Sequence, residues 1–384
     1  MATTTTTTTT ATSSAGVDLA DVDLIVNPTL AKRPNKGRMT STWHTRPSHK
    51  WSFFEKQLIW LGVATPDNAE SSRPKPPVYP KSTPVPVYPV WKMHKQIAPR
   101  ALAPLIVHHL FTQLTGIAVP KWIATMAYLA YFVWYGTGVF AWNNAMADKF
   151  GTFDGAALRD GVPDVDTMST AIGLVMVVVS RACIAVPYLY DPAQPVLDTW
   201  TLLMLPVNCA MFAIAVDFWF YWYHRIMHEV PGMWQWHRKH HTTKHPTAAL
   251  GAFADHEQEF FDMVGIPVLA WLTWRINFAT WWVSTCYILF IEASGHSGLR
   301  GYFQNPTVWW LRYFGAELCL EDHDIHHRQG WKKSGNYGKQ TRLWDKLFGT
   351  MKDRIEGTWD NINWDDPMDE PQPVPPATVE STKE

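Results

Sequence analysis

Six apolar runs dominate the middle of this 384-residue chain, at 101–118, 121–142, 168–190, 198–222, 258–275 and 277–295. A helix crosses the hydrocarbon core of a bilayer with about 20 apolar residues, so each run is long enough, or nearly so, to span. Six such runs exceed what the core of a water-soluble helical bundle needs. The expected fold is therefore all-α, an integral membrane helical bundle with four to six membrane segments. The first run contains Pro104, His108 and His109 and suits a re-entrant path. The third carries Arg181 near its middle. A charge there costs about 2.5–3.5 kcal/mol on insertion scales unless it faces protein or snorkels. The last two runs form a hairpin turning at Arg275, Ile276 and Asn277. The 22 tryptophans suit a chain with two membrane–water interfaces, where amphipathic rings collect.

The flanks read differently. Residues 1–42 open on a threonine tract with no cleavable leader, stay polar, and are expected to be disordered. Between 51 and 61, Trp51, Phe54, Leu58 and Leu61 recur at helical spacing while Glu55, Lys56 and Gln57 turn away. That suits a short helix lying on a membrane or packing on the domain. Residues 74–90 carry too many prolines for a helix or a sheet ladder and should run as an extended spacer. Residues 353–384 are acidic and proline-rich, a loose tail. The expected organisation is thus an N-terminal region over 1–90, membrane helices over 91–200, membrane helices with a catalytic part over 201–352, and a tail over 353–384. A formal net charge of -1 and the lack of a basic stripe give no reason to expect a nucleic-acid partner, and none is expected. Four cysteines without a CxxC pair give neither a disulfide framework nor a thiolate metal site.

Chemistry concentrates in the histidines. Of 16, eleven fall between 224 and 327, where an even spread would place about four. His224 and His228 are four apart, so on a helix they share a face. His237, His240 and His241 (HRKHH) are spaced i, i+3, i+4, and His323, His326 and His327 (HDIHH) repeat that spacing. His296 adds an imidazole at the end of an apolar run. Neutral imidazole suits zinc, copper, iron and nickel. Eight or nine imidazoles exceed one tetrahedral zinc site, so two ions are implied. The paired Glu-x-x-His elements of carboxylate-bridged di-iron bundles are missing, and so is HExxH.

The boxes HxxxH, HxxHH and HxxHH, with their flanks, resemble the fatty acid hydroxylase/sterol desaturase superfamily of membrane non-haem di-iron oxygenases. The resemblance runs from about Asp217 to Thr350. It rests on DFWFYWYHRIMH (217–228), HRKHH followed by Pro246, EASGHSG (292–298), and HDIHH followed by GNYG (335–338) and WDKLFGT (344–350). The EASGHSG and GNYG text is most similar to the methyl sterol oxidase branch. The resemblance implies two iron ions, dioxygen as co-substrate, and hydroxylation, oxidation or desaturation of a C–H bond in a sterol, terpenoid or other lipid. It also implies electrons from an external NAD(P)H-linked donor, a b-type cytochrome, because no HPGG haem element is present in the chain.

Carried over residue by residue, the ligands would be His224, His228, His237, His240, His241, His296, His323, His326 and His327. His256 in ADHEQEF would be a tenth, although Glu257 stands where the family has a proline. His245 lies close enough in sequence to compete, and His108 and His109 match no box. Asp217 shares a helical stripe with Tyr221, His224 and His228, and is expected to orient a ligand imidazole. Asn336 is a candidate for holding a metal-bound water, with turn chemistry as its other reading. The lysines and arginines around the boxes (Arg225, Arg238, Lys239, Lys244, Arg328, Lys332, Lys333) put the histidine cap on the cytosolic side, the expected home being the endoplasmic reticulum membrane. A non-catalytic membrane metal- or lipid-binding protein would keep the same boxes.

Overall fold

The computed structural model describes residues 39–69 and 75–370; expectations for 1–38 and 371–384 lie outside the described residues. The helices in chain order are α1 (Phe53–Trp60), α2 (Val90–Thr115), α3 (Lys121–Phe150), α4 (Thr167–Leu189) and α5 (Thr199–Glu229). Then come α6 (His256–Phe260), α7 (Ile266–Thr273), α8 (Phe278–Ser297), α9 (Leu320–Gln329) and α10 (Leu343–Phe348). By length and composition α3, α4 and α5 can cross a membrane. Their apolar side chains face outward as well as inward: Leu203 on α5 is 63% exposed and Trp122 on α3 is 70% exposed. Such outward faces fit lipid better than water.

The other apolar runs take different forms. Run 101–118 is the second half of α2, which begins at Val90 and carries Pro99 and Pro104. Run 258–275 is broken: α6 passes into a π-helical turn over Phe261–Gly265 before α7 starts with Pro267 in its first turn. Run 277–295 becomes α8, capped by Asn277 and buried along almost its whole length. This helix is the centre of the bundle, packed against α2, α3, α5 and α9. An indole and a phenol group of this core find backbone acceptors, as buried donors generally do. Trp282 Nε1 donates to the Ala101 carbonyl at 2.8 Å, and the Tyr135 hydroxyl to the Cys286 carbonyl at 2.9 Å. The expected turn between the last two runs is present, because α7 ends at Thr273 and Asn277 accepts from the Thr280 N–H to start α8.

Both flanks are more ordered than their composition implies. Trp43 is fully buried, its indole donating to the Val162 carbonyl at 2.9 Å, and the Ser41 hydroxyl donates to the same carbonyl at 2.7 Å, so ordered contacts reach into the stretch expected to be disordered. Helix α1 packs on α4, and Glu55 is turned in rather than out. It closes a capping box with Ser52 and pairs with Arg46 at 2.6 Å. The proline-rich stretch is not only a spacer: Val85–Val87 (β1) pairs in parallel with Ile362–Pro367 (β2). Pro86 is tolerated because the bridge to Tyr302 on the other side of β1 uses its carbonyl, which accepts from the Tyr302 N–H at 2.8 Å, and asks no N–H of it. The tail likewise folds as far as Glu370. Met368 is 1% exposed, Arg300 and Glu356 form a buried pair at 2.8 Å, and Trp142 Nε1 donates to Glu370 at 2.7 Å.

Candidate metal centre

Helix α5 brings His224 and His228 to its inner end on one face, one turn apart. After Gly232, in the left-handed region at φ 87°, the chain runs through short 3-10 turns rather than an α-helix, and these carry His237, His240 and His241. His296 stands on the last turn of α8, and α9 carries His323, His326 and His327. All nine are buried. Their ligand atoms gather into two nests, each with its atoms within 4.8 Å of one another. His224, His228, His237, His241 and His326 form the first, and His240, His296, His323 and His327 the second.

The split follows the spacing. Residues four apart stay together (224 with 228, 237 with 241, 323 with 327), while His240 and His326 face the other nest. Neighbours in sequence therefore point opposite ways, and the nests share a wall: the rings of His241 and His327 are 4.9 Å apart.

Backbone carbonyls fix the rings. His224 Nδ1 lies 2.8 Å from the Tyr337 carbonyl, His228 Nδ1 2.8 Å from that of Trp331 and His326 Nδ1 2.7 Å from that of Gly335. In the second nest His240 Nδ1 meets the Phe253 carbonyl at 3.2 Å, His296 Nδ1 that of Glu292 at 2.8 Å and His327 Nδ1 that of Thr243 at 3.0 Å. A carbonyl only accepts, so each of these Nδ1 atoms carries the proton and each Nε2 keeps a bare lone pair. His240 and His296 then aim two lone pairs at each other across 3.4 Å. Nothing in the donor set relieves that repulsion except a cation between them.

Other Nε2 separations are 2.9 Å for His224–His237, 3.0 Å for His326–His241 and 2.9 Å for His323–His296. Two nitrogens bound at right angles to one ion, each at about 2.1 Å, lie about 3.0 Å apart. The residues thus fit two imidazole-bound metal ions. Burial, reinforced by the neighbouring rings, holds His237, His240, His241, His323, His326 and His327 well below the usual imidazole range, so they are neutral and able to ligate at pH 7.

Comparison with known proteins agrees with this geometry. The sequence model of the fatty acid hydroxylase family matches residues 209–350, which hold all nine nest histidines. A fatty acid hydroxylase, vlmA of Lecanicillium sp, is 38% identical over 322 residues, covering 77% of this chain and 88% of that protein. The chain belongs to the fatty acid hydroxylase family. Further relatives are the methylsterol monooxygenase erg25B of Aspergillus fumigatus and the very-long-chain aldehyde decarbonylase GL1-8 of Oryza sativa. The first is 31% identical over 42% of this chain and 55% of that protein, the second 33% over 41% and 56%. The chain therefore spans about half of those two proteins. No solved structure gives a significant match.

Within this family member, three expected site residues stand elsewhere. His256 is exposed at the start of α6, 3.0 Å from Glu259, and joins neither nest. It is the first residue of α6, and its ring is carried to the surface. Asp217 touches no imidazole. It accepts the N–H groups of Lys339 and Gln340 at 2.8 Å each and the Thr341 hydroxyl, so it anchors the loop whose Tyr337 carbonyl holds His224. Asn336 is a turn residue with φ 50°, donating to the Asp322 carbonyl at 2.9 Å and accepting from the Lys352 N–H at 2.8 Å.

His245 is buried but outside both nests, 3.9 Å from Asp154. His108 sits between the hydroxyls of Tyr128 and Tyr190, 3.2 Å from each. Sequence reasoning missed Asp345, which accepts the N–H groups of Tyr337 and Gly338 at 2.8 Å and fixes the same loop from the other side. Its position inside WDKLFGT was the available signal.

Proposed function

We propose that this chain is a dioxygen-dependent oxidoreductase of the endoplasmic reticulum membrane, oxidising a C–H bond of a membrane lipid at two iron ions held by the nine nest histidines. The observation that carries the reading is the pair of buried all-imidazole nests with their tautomers set by carbonyls. Bound iron would supply the redox chemistry with dioxygen. The chain's part is to present two separate sets of imidazole donors, to keep water out by burial, and to set six of the imidazoles through backbone carbonyls. Family membership and the oxygenase relatives support the reaction class.

The membrane supplies the substrate, and an external b-type cytochrome fed by NAD(P)H supplies the electrons. Lys332 and Lys333 are the exposed cations for that docking, next to Trp331, whose carbonyl holds His228. Arg225 and Arg328 are already engaged by Glu229 and Asp324 at 2.8 Å. By the positive-inside rule this face is cytosolic.

The test is metal analysis of protein purified with iron supplied, alongside oxygen- and donor-dependent product formation in membranes. About two iron ions per chain are expected, since nine imidazoles exceed one ion's needs. A stoichiometry near one, or full activity with zinc alone, overturns the di-iron reading.

A further inference from the structure

Beside the nests lies a cavity of about 350 Å³ between α4, α5, α7 and α8, within the usual range for small-molecule sites. Its wall on α8 runs from Trp281 to Glu292, about 16 Å of helix. The outer part is apolar, and Tyr188 and Leu272 at its rim are exposed on the lipid-facing surface. The inner end is different. Arg181, Asp262, Glu292 and Lys339 all line it. Glu292 is one helical turn from His296 and lends it the carbonyl that fixes its ring. Phe220, also in the wall, has its ring centroid 5.0 Å from that of His224.

Arg181 is the residue that its surroundings leave unexplained. It is 8% exposed. One nitrogen, Nη2, lies 3.7 Å from Glu292 and 3.3 Å from the Met263 sulfur. Its Nε and Nη1 are buried and meet no acceptor among the described residues. A guanidinium at membrane depth with two idle donors is costly as a purely structural part. It is matched to a ligand oxygen that would arrive through the lipid-facing mouth. The four side-chain charges balance, two positive and two negative, so Arg181 needs an oxygen to accept its idle N–H groups rather than an anion to neutralise it.

We propose that Arg181 is a substrate-binding residue, its guanidinium donating to an uncharged oxygen, a carbonyl or hydroxyl, at one end of an otherwise apolar substrate lying in this cavity. Oxidation then falls near the oxygen-bearing end, because Arg181 and the nests meet at the same end of the cavity. This rests on the lipid-oxidation reading above and adds the chemistry of the substrate.

The experiment measures binding of hexadecane, cetyl alcohol, methyl palmitate and palmitate to the full-length, iron-loaded protein in detergent, with products mapped separately. Hydrogen bonds to a charged donor predict that cetyl alcohol and methyl palmitate bind about 10- to 100-fold more tightly than hexadecane. Arg181→Met should erase that preference while leaving hexadecane binding in place. Because Arg181→Met strands Glu292, the double variant Arg181→Met/Glu292→Gln is measured with it, with iron content as the check on folding. Equal binding of all four probes, binding of palmitate alone, or a preference that survives in a folded double variant overturns the proposal. Selective binding that depends on Arg181 without any oxygen-dependent product supports it and counts against the lipid-oxidation reading instead. Product without selectivity does the reverse.

Discussion

Asp217 and Lys339 meet through a 2.8 Å hydrogen bond from the Lys339 backbone to the carboxylate, joining α5 to the loop that holds the first nest. The contact acts on the metal site at one remove: carboxylate to loop, loop carbonyl to His224. Asp217→Asn turns an acceptor with three donors around it into a group that must point an N–H at one of them. The expected loss is about 1–3 kcal/mol of stability. Thermal unfolding in detergent and iron content should fall together. Retained iron with an unchanged melting temperature would place the loop under other control.

Neighbouring histidines should lose different ions. His240→Ala removes a ligand of the four-histidine nest and His241→Ala one of the five-histidine nest. Each is expected to abolish product and to leave about one iron per chain, because the other nest keeps its donors. His326→Ala should behave like His241→Ala, and His296→Ala like His240→Ala. His256→Ala, at an exposed position outside both nests, should keep iron and activity. Full activity in any nest variant removes that residue from the ligand set.

Ending the chain at Ile355 should destabilise the protein, whereas ending it at Glu370 retains the described contacts of the C-terminal segment. The shorter form loses β2, the buried Arg300–Glu356 pair, the Lys92 contact to the Met368 carbonyl and the Glu370 bond to Trp142. Burial of Met368 alone contributes about 1.5–3 kcal/mol. Yield and melting temperature of the two truncations decide the matter, and equal stability would show the segment to be dispensable.

Stripping the metal with a chelator should lower the melting temperature, since it leaves the lone pairs of His240 and His296 facing each other at 3.4 Å. Iron should restore both stability and oxygen-dependent product. Zinc, which imidazole also suits, should restore stability alone. A metal-free protein as stable as the loaded one contradicts the role assigned to the nests.

What could be read from the chain alone was whatever has a local period. Apolar runs and box spacing gave the helical membrane class and all nine nest histidines. The assignment to two nests was less accessible, because spacing alone does not say which imidazoles share an ion. In the tight turns of HRKHH and on helix α9 alike, the residues four apart stay together and the third joins the other nest. Asp217 was misread for a different reason: its partners lie more than a hundred residues on, in a loop with no period. The same holds for Glu55, turned inward to close its own cap and meet Arg46, and for β1, whose prolines hid a partner strand near the far end of the chain.

The wall between the nests has a consequence for how the protein is loaded. His240 and His241 share one peptide link, and so do His326 and His327, yet each pair serves both ions. The first ion to arrive must therefore fix backbone torsions that the second would otherwise have to fix for itself. Ordering that has already been done need not be repeated, so the second ion should bind more tightly than the first. Titration of the stripped protein would then show few singly loaded molecules, with iron entering in pairs.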